Sequence, residues 1–409
     1  MSPVRSIVII GGGPAGVGAA LAARQQEPAA NILLVTEEDC EPYEKPPLSK
    51  AVLTGKAKPH HAPIAGPGGV GAHRITLKPG ARCAAIDRAG RAVVTESGER
   101  IPYDTLVLAT GSTNRVLPLF PAGQPGIHYL RSEAEALALH EQLKRSRTLL
   151  VVGAGLIGLE VAASAAEIGI KTAVIEVAPR ILARVCDPET SALVQARHRQ
   201  HGVDIHLATT IAQVRTLPDG RIAVETKTGA TFTADLVVVG AGVAPDDRLA
   251  KAAGLAVEDG IIVDDHCATS DPAILAAGDC TRFIGPHGPV RLENWRHAQE
   301  QGAVAGRNAA GGNAAYAVTP SFWSEQYDLY IQGLGWPVPN PSAQVRRQIG
   351  PNAMLRFDLD GDHLTYVLGI NAQRDIAVAR RLIERRVAVD PGELADPSKA
   401  LAAMLKAKA

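Results

Sequence analysis

Two glycine-rich segments of the sequence have the residue types and spacing of dinucleotide-binding turns. In the first, GGGPAG follows the β-branched run VRSIVII and precedes the alanine-rich run AGVGAALAARQQ. A strand, glycine turn and helix in this order let the backbone approach a pyrophosphate, which also meets the unpaired N–H groups of the helix N-terminus. The predicted contacts in this turn are Gly11, Gly13, Pro14, Ala15 and Gly16. The next strand, NILLVTEE, leads to Glu37, an acid suited to a ribose hydroxyl.

The same unit recurs in RTLLVVGAGLIGLEVAASAAEIGIKTAVIEVAPR. Its predicted contacts are Gly153, Gly155, Leu156, Ile157 and Gly158, followed by Glu176 at the end of the second strand. A single G-x-G-x-x-G is often only a tight turn, but two copies in full strand–helix–strand context predict two bound dinucleotides. A carboxylate at Glu176 favours the free 2′-hydroxyl of NADH, whereas the nearby Arg180 and Arg184 would suit the 2′-phosphate of NADPH. We predict a preference for NADH, with Arg184 among the contacts.

Three further strand ends carry candidate ligands. TLVLATGS ends in Ala109, Thr110 and Gly111, and AILAAGDC ends in Asp279, an acid after a glycine that suits a ribityl chain. ADLVVVGAGVAPD is a similar crossing and contains Gly242, a predicted NAD contact. These segments lie on either side of the second glycine unit, so we predict an α/β fold with one Rossmann-like domain inserted in another. The predicted domains are a first dinucleotide-binding domain at 1–113 and 244–318, a second dinucleotide-binding domain at 114–243, and a C-terminal α+β domain at 319–409.

The composition limits the classes of function. The 409 residues carry 42 Lys+Arg and 42 Asp+Glu, so a whole-protein basic field for nucleic acid is not expected. The five cysteines are dispersed, which predicts neither a disulfide framework nor a metal site and favours a reducing compartment. No apolar run reaches transmembrane length, and the N-terminus lacks a signal-peptide pattern. We therefore predict a cytoplasmic protein without membrane or nucleic-acid partners.

Several motifs together resemble one enzyme family. GGGPAG, YEKPPLSK, LATGS, VVGAGLIGLEVAA, AAGDC, RLENWRHAQEQG and SFWSEQYD follow one another over nearly the whole chain. In this respect the chain resembles the NADH-dependent ferredoxin reductases of bacterial oxygenase systems, within the two-dinucleotide-binding flavoprotein superfamily. The resemblance implies FAD on the first unit, NADH on the second, and an oxidoreductase that passes single electrons to a [2Fe–2S] ferredoxin. That ferredoxin would feed a Rieske-type oxygenase or a cytochrome P450.

The resemblance also implies site residues. The family pattern places the adenine against the backbone of Cys83, and the flavin near Arg115, Arg131 and Trp295. Lys45 would face the FAD phosphates. The implied catalytic pair is Lys50 and Glu160, with Glu160 on the first turn of the second dinucleotide helix and in contact with the nicotinamide amide. Lys50 would place its charge near flavin N5, and Pro46 and Pro47 would hold the approach to it extended.

The C-terminal segment suggests the partner. Short strands are predicted in SFWSEQYDLYIQGLG, AQVRRQI, AMLRFDL and HLTYVLGI, followed by a helix in NAQRDIAVARRLIERR. The arginines of this helix form either a solvated face or a docking patch for an acidic ferredoxin. No C-x-x-x-x-C pair is present for a thiol relay. A rubredoxin reductase, an NADH oxidase and a nucleotide-switched signalling flavoprotein are the alternatives.

Overall fold

The computed structural model describes residues 4–405; residues 1–3 and 406–409, at the ends of the first and last predicted domains, lie outside the described residues. The helices are α1 (Pro14–Gln26), α2 (Glu133–Leu143), α3 (Leu156–Glu167), α4 (Pro188–Gln200), α5 (Arg248–Ala252), α6 (Trp295–Ala309), α7 (Gln373–Glu384), α8 (Pro391–Ala395) and α9 (Leu401–Met404). Short 3₁₀ helices span Pro46–Ser49, Pro59–His61 and Val70–His73.

The strands that begin before residue 115 are β1 (Ser6–Ile10), β2 (Asn31–Val35), β3 (Thr76–Lys78), β4 (Cys83–Asp87), β5 (Ala92–Thr95), β6 (Arg100–Pro102), β7 (Thr105–Leu108) and β8 (Ser112–Asn114). Those up to residue 245 are β9 (Ile127–His128), β10 (Thr148–Val152), β11 (Lys171–Ile175), β12 (Asp204–His206), β13 (Ile211–Thr216), β14 (Ile222–Thr226), β15 (Thr231–Ala234), β16 (Leu236–Val239) and β17 (Val243–Pro245). The last are β18 (Ile261–Ile262), β19 (Ile274–Ala276), β20 (Thr281–Gly285), β21 (Gly288–Val290), β22 (Ser321–Gln326), β23 (Leu329–Gly335), β24 (Ala343–Gly350), β25 (Ala353–Asp360) and β26 (His363–Ile370).

The chain forms two compact units. Among the described residues, the first contains 4–45, 59–113 and 243–320, and the second contains 46–58, 114–242 and 321–405. Each has a parallel five-stranded sheet, in the order β19-β7-β1-β2-β3 in the first unit and β12-β11-β10-β16-β9 in the second. The apolar β-branched runs form the central strands because both faces of such a sheet are covered. The α/β fold with two Rossmann-like sheets is thus confirmed, while the three-domain division stays a prediction.

Helices α1 and α6 of the first unit pack with their backbones almost in contact. A Cβ placed on Gly302 would lie 2.1 Å from the carbonyl oxygen of Ala15, and one on Gly306 would lie 2.0 Å from that of Ala19. Only glycine permits so close an approach. The RLENWRHAQEQG segment therefore covers the helix that follows the first glycine turn.

The C-terminal part of the second unit is an antiparallel sheet with helices. Its strand order is β22-β23-β26-β25-β24, and α7 follows with Ile376, Ala379 and Leu382 buried. This matches the predicted short strands and helix. Strand β22 packs against α3 of the same unit.

The expected extended path through Pro46 and Pro47 is wrong. Residues Pro46–Ser49 form a 3₁₀ helix, and residues 50–55 continue as turns. Proline fits the first turn of a helix because its fixed φ is helical and its missing N–H would have no partner there. The segment 46–58, called the strap below, belongs to the second unit.

Candidate functional site

The first glycine turn has a backbone that only glycine can form. Gly11 has φ +114°, and a Cβ there would lie 2.1 Å from the carbonyl oxygen of Ala109. A Cβ on Gly16 would lie 1.8 Å from the carbonyl oxygen of Gly11, where α1 crosses β1. These two glycines therefore serve the tight turn and the close packing of helix on strand.

The second turn repeats this geometry. Gly153 has φ +104°, and a Cβ there would lie 2.5 Å from the carbonyl oxygen of Gly240. A Cβ on Gly158 would lie 2.1 Å from the carbonyl oxygen of Gly153. Two turns separated by more than 140 residues share one backbone design.

The middle glycine of each turn leaves room for a ligand. A Cβ on Gly13 or Gly155 would meet nothing within 4 Å. Both are helix N-caps in extended conformation, and neither α1 nor α3 has a side-chain cap. The first N–H groups of each helix thus face open space with the positive end of the helix dipole. Both turns fit a pyrophosphate, Pro14 and Ala15 completing the first, and Leu156 and the exposed Ile157 the second.

The predicted adenine and ribose contacts lie together in the first unit. Glu37 is exposed, two residues beyond the end of β2, and its carboxylate lies 3.7 Å from Nε of Arg82. Burial, and to a smaller extent the charge of Glu37, raises the pKa of Cys83 to about 11. The thiol is therefore protonated at neutral pH, consistent with a contact made by the backbone.

The predicted ribityl ligand lies at the carboxyl end of the same sheet. Strands β7 and β19 pair in parallel, which brings the ends of LATGS and AAGDC side by side. Asp279 follows Gly278, whose φ is +87°, and its Oδ2 accepts a hydrogen bond of 3.0 Å from Ser112 Oγ. Thr110 donates through Oγ1 to the carbonyl oxygen of Asp246 at 2.5 Å. Ala109, Thr110 and Gly111 thus lie at one sheet edge with Asp279.

Trp295 and Lys45 make contacts that the sequence did not indicate. Trp295, the first residue of α6, donates through Nε1 to Glu44 Oε2 at 2.6 Å. Burial raises the pKa of Glu44. The Lys45 ammonium lies 2.7 Å from Glu38 and 4.9 Å from the centre of the Tyr43 ring. Both carboxylates belong to the acidic run that precedes the prolines.

Backbone N–H groups hold the Glu176 carboxylate in the second unit. Its two carboxylate oxygens accept from the N–H groups of Ala154 at 2.6 Å and Ala178 at 2.7 Å. The neighbouring Arg180 bonds to the carbonyl oxygens of Cys186 and Ala183 and to Ser191 Oγ, so its guanidinium shapes the loop before α4.

Four other predicted contacts lie on loops of the second unit. Arg184 is exposed, and its Nη2 lies 3.7 Å from where a Cβ on Gly242 would be. Gly242 accepts through its carbonyl oxygen from the N–H of the exposed Arg115 at 3.0 Å. Arg131, partly buried, precedes α2 and donates its backbone N–H to Glu135. Arg184 and Arg115 thus both lie beside the backbone of Gly242.

Glu160 and Lys50 form the predicted ion pair. Lys50 Nζ lies 2.8 Å from Glu160 Oε2, and the Glu160 side chain is 4% exposed. Because α3 begins at Leu156, Glu160 lies in its second turn, not the first. The strap brings Lys50 to α3, where Ser164 Oγ donates to the carbonyl oxygen of Ser49 at 2.7 Å and His140 Nδ1 lies 2.8 Å from that of Leu53.

Sequence reasoning missed two hydroxyl groups on Glu160. Ser49 Oγ donates to Oε2 at 2.5 Å, and Ser324 Oγ donates to Oε1 at 2.7 Å. With Lys50, the carboxylate therefore has three donors, two on the strap and one on β22. Both serines stand in the motifs YEKPPLSK and SFWSEQYD, which was the available signal.

The glycine turns and strand ends agree with a family comparison. The family described as "Pyridine nucleotide-disulphide oxidoreductase" matches residues 5–302. The chain belongs to this family. A second family, described as "Reductase C-terminal", matches residues 321–405. Membership in the pyridine nucleotide-disulphide oxidoreductases makes the chain an oxidoreductase of FAD and NAD(H), as predicted.

Individual relatives specify the branch of the family. The chain is 40% identical to the anthranilate 1,2-dioxygenase system ferredoxin–NAD(+) reductase component of Burkholderia cepacia, over 97% of this chain and 98% of that one. It is 38% identical to rhodocoxin reductase of Rhodococcus erythropolis, over 96% and 92%. Its structure superposes with a TM-score of 0.92 on putidaredoxin reductase in a covalent complex with putidaredoxin, at 34% identity and 98% coverage of both chains. The resemblance to ferredoxin reductases is confirmed.

No helix within residues 4–405 is both long enough and apolar enough to cross a membrane.

Proposed function

We propose that the chain is a flavoprotein reductase that takes a hydride from NADH and delivers single electrons to a [2Fe–2S] ferredoxin. That ferredoxin would serve a Rieske-type oxygenase or a cytochrome P450. The observation that carries the proposal is the ion pair between the buried Glu160, on the helix that follows the second glycine turn, and the partly buried Lys50 of the strap. The names of the ferredoxin reductases that align with the whole chain support it.

The residues that would hold the cofactors follow from the two turns. FAD would bind at the first turn with Glu37 and Asp279, and NADH at the second with Glu176. Bound FAD would supply the conversion of a two-electron donor into single electrons. The chain's own contribution is to bind, orient and charge the site.

Glu160 and Lys50 have distinct tasks in this proposal. Glu160 would accept a hydrogen bond from the carboxamide of the nicotinamide and thereby orient the ring that carries the hydride. Lys50 would direct a fixed positive charge to where negative charge develops, an arrangement that needs no reorganisation during the reaction. Each charge compensates the burial of the other.

The cysteines support delivery of electrons without a thiol relay. Burial raises the pKa of Cys186 to about 12 and of Cys280 to about 11, and it raises that of Cys267 further. These thiols stay protonated at neutral pH and are poor nucleophiles. On the strap, Ser49 rather than a thiol lies beside Glu160. None of the five cysteines, which all lie within the described residues, forms a disulfide, and a reducing, cytoplasmic location is part of the proposal.

A preference for NADH over NADPH is supported by two contacts. The Glu176 carboxylate would bond to a 2′-hydroxyl and repel a 2′-phosphate. Arg180 is engaged with two backbone carbonyls and a serine hydroxyl, which leaves Arg184 as the exposed arginine of this loop.

Docking of the ferredoxin is proposed at α7 and the residues just after it. Arg374 and Arg381 of α7 are exposed, and so are Arg385 and Arg386, which follow its last residue. Exposed charge steers association and is screened by salt. The ferredoxin-dependent rate should therefore fall as ionic strength rises, while reduction by NADH should not.

The substitution Lys50→Met tests the role of the pair. It should retain FAD, seen in the visible absorption spectrum, but slow reduction by NADH about tenfold or more in stopped flow. Lys56→Met is the matched control, because Lys56 lies on the same strap but forms an exposed pair with Glu167. An unchanged reduction rate in Lys50→Met would refute the proposed role.

The electron acceptor is tested separately. The proposal expects fast reduction of cytochrome c only when a [2Fe–2S] ferredoxin is added. Rapid consumption of O₂ without ferredoxin would instead identify an NADH oxidase. Transfer to rubredoxin in preference to ferredoxin would identify a rubredoxin reductase, and slow turnover with every acceptor would favour a nucleotide-switched protein.

A further inference from the structure

A chain of buried polar groups leads away from the Glu160 carboxylate. Ser324 and Gln326 lie two residues apart on β22 and therefore face the same side of the sheet. Ser324, Gln326 and His198 are each 0% exposed. Buried polar groups are costly unless they are hydrogen-bonded, so such a line of three within a core calls for an explanation.

The hydrogen bonds in this chain all point in one direction. A carboxylate only accepts hydrogen bonds, so the Ser324 hydroxyl must be the donor in its 2.7 Å hydrogen bond to Glu160 Oε1. The serine oxygen is then free to accept from Gln326 Nε2 at 3.0 Å. This orients the amide, whose Oε1 lies 2.8 Å from His198 Nε2 and accepts from it.

The hydrogen-bond chain ends at Tyr327, at the end away from Glu160. Because His198 donates through Nε2, its Nδ1 is an acceptor, and the Tyr327 hydroxyl lies 3.2 Å from it. The Tyr327 ring stacks on His201 with centroids 3.8 Å apart and an angle of 5° between the planes. Tyr327 also has φ +58°, a conformation that is uncommon for a non-glycine residue. Four successive donors thus end on one oxygen of Glu160.

His198, the histidine of this hydrogen-bond chain, is held neutral. Burial lowers the pKa of His198 to about 4, although its hydrogen bond with Gln326 acts in the opposite direction. The ring therefore keeps one donor and one acceptor nitrogen at neutral pH, which is what a one-directional chain requires.

We propose that Ser324, oriented by Gln326 and His198, is the positioning residue of the Glu160 carboxylate. Ser324 holds Oε1, while Ser49 and Lys50 hold Oε2, so the carboxylate cannot rotate. The nicotinamide carboxamide then meets an acceptor of fixed direction. The inference rests on the proposed function, since it concerns how Glu160 would be presented to NADH.

The substitution Ser324→Ala removes the donor to Oε1. In the FAD-loaded enzyme, the limiting rate of reduction by NADH should fall about tenfold. The loss of one hydrogen bond to a charged group corresponds to a rate factor of about ten or more. The NADH concentration at half-maximal rate should change less than about twofold, because Lys50 and the glycine turn remain. Ser324→Thr keeps the hydroxyl and should restore most of the rate. Ser321→Ala, on the same strand, is the control that should change neither value.

The direction of the chain is tested without measuring activity. In ¹⁵N-histidine-labelled holoenzyme, NMR should show His198 protonated at Nε2 and unprotonated at Nδ1, with His198→Gln to assign the signals. In Ser324→Ala, His198 should instead show a mixture of the Nε2-protonated and Nδ1-protonated tautomers. Protonation at Nδ1 in the unmodified protein would reverse the chain and overturn the inference, even if Ser324→Thr failed to fold.

The two proposals can fail separately. If Lys50→Met slows reduction but Ser324→Ala does not, the positioning role is refuted and the proposed function stands. If neither slows it, the reaction does not depend on Glu160 and Lys50, and both proposals fall.

Discussion

The two dinucleotide units differ most at one equivalent helix position. Gly18 in α1 and Glu160 in α3 each lie two residues after the last glycine of their turns. A Cβ on Gly18 would lie 2.7 Å from the carbonyl oxygen of Gln299 in α6, so this position must be empty for the helices to pack. Glu160 instead extends into a cluster of hydroxyl and ammonium groups. The shared turn specifies nucleotide binding, while the neighbouring element decides what the next helical turn does.

The neighbours explain this difference in physical terms. Helix α6 approaches α1 through Gly302 and Gly306, which brings the two helix backbones together and leaves no room for a side chain between them. Helix α3 instead faces the strap and β22, whose serines satisfy a buried carboxylate. A buried charge is stable only with such partners. Exchanging the two residues should therefore damage each unit in a different way.

The largest effect is expected for Gly18→Glu. The new side chain would collide with the α6 backbone and bury a charge without partners, which should lower the free energy of unfolding by about 3 kcal/mol or more. Urea unfolding followed by circular dichroism measures this loss. The reverse change, Glu160→Gly, should cost less stability than Gly18→Glu, because it removes a charge rather than buries one and the partly exposed Lys50 can turn towards solvent, while it abolishes fast reduction by NADH. Equal losses of stability in both variants would contradict the comparison.

Acid should weaken both units through one buried histidine in each. Burial lowers the pKa of His297 in the first unit and of His198 in the second to about 4. In the unfolded chain each ring takes up its proton near pH 6.5. Between these values the unfolded state binds the extra proton, so the free energy of unfolding falls as the pH falls, by up to about 3 kcal/mol per histidine near pH 4.

Substitution by glutamine separates the two contributions. Denaturant unfolding at pH 7 and pH 5 should show a smaller pH dependence in His297→Gln and in His198→Gln than in the unmodified protein. Only His198→Gln should also disturb the geometry at Glu160 and slow reduction by NADH. An unaltered pH dependence in both variants would show that other groups cause the acid sensitivity.

A smaller effect is expected from the two strand-end acids. Glu176 is held by two backbone N–H groups, whereas the Glu37 side chain is 66% exposed. Glu176→Ala should lower kcat/KM for NADH about tenfold and reduce discrimination against NADPH. Glu37→Ala should weaken FAD binding less than this, as measured by FAD release on dilution. Glu176→Gln keeps the shape without the charge, and unchanged NADPH discrimination in that variant would argue against electrostatic selection.

Much of the fold and part of the site could be predicted from local sequence. The glycine turns are short segments whose spacing directly specifies a backbone, so the sequence alone identifies both. Lys50 and Glu160 required family motifs, since 110 residues separate them. The path at Pro46 was predicted wrongly because proline suits both an extended chain and the first turn of a 3₁₀ helix.

The remaining contacts could not be predicted because serine is common and its partners were distant. Ser49 and Ser324 lie 111 and 164 residues from Glu160 along the chain. Their hydroxyls have a role only because the strap and β22 both pack on α3. Likewise, Glu44 precedes its partner Trp295 by 251 residues.

The sequence by itself determined the two nucleotide turns, the strand-end acids and the class of chemistry, because each depends on neighbouring residues in a fixed order. Only the tertiary structure decided that Gly18 packs a helix while Glu160 holds a charge, because that depends on which distant segment covers each position. It also decided that the strap coils rather than extends, and that the serine–glutamine–histidine chain ends on Glu160. A turn is specified by neighbouring residues, whereas the hydrogen-bond partners of a buried side chain depend on which distant segments pack against it.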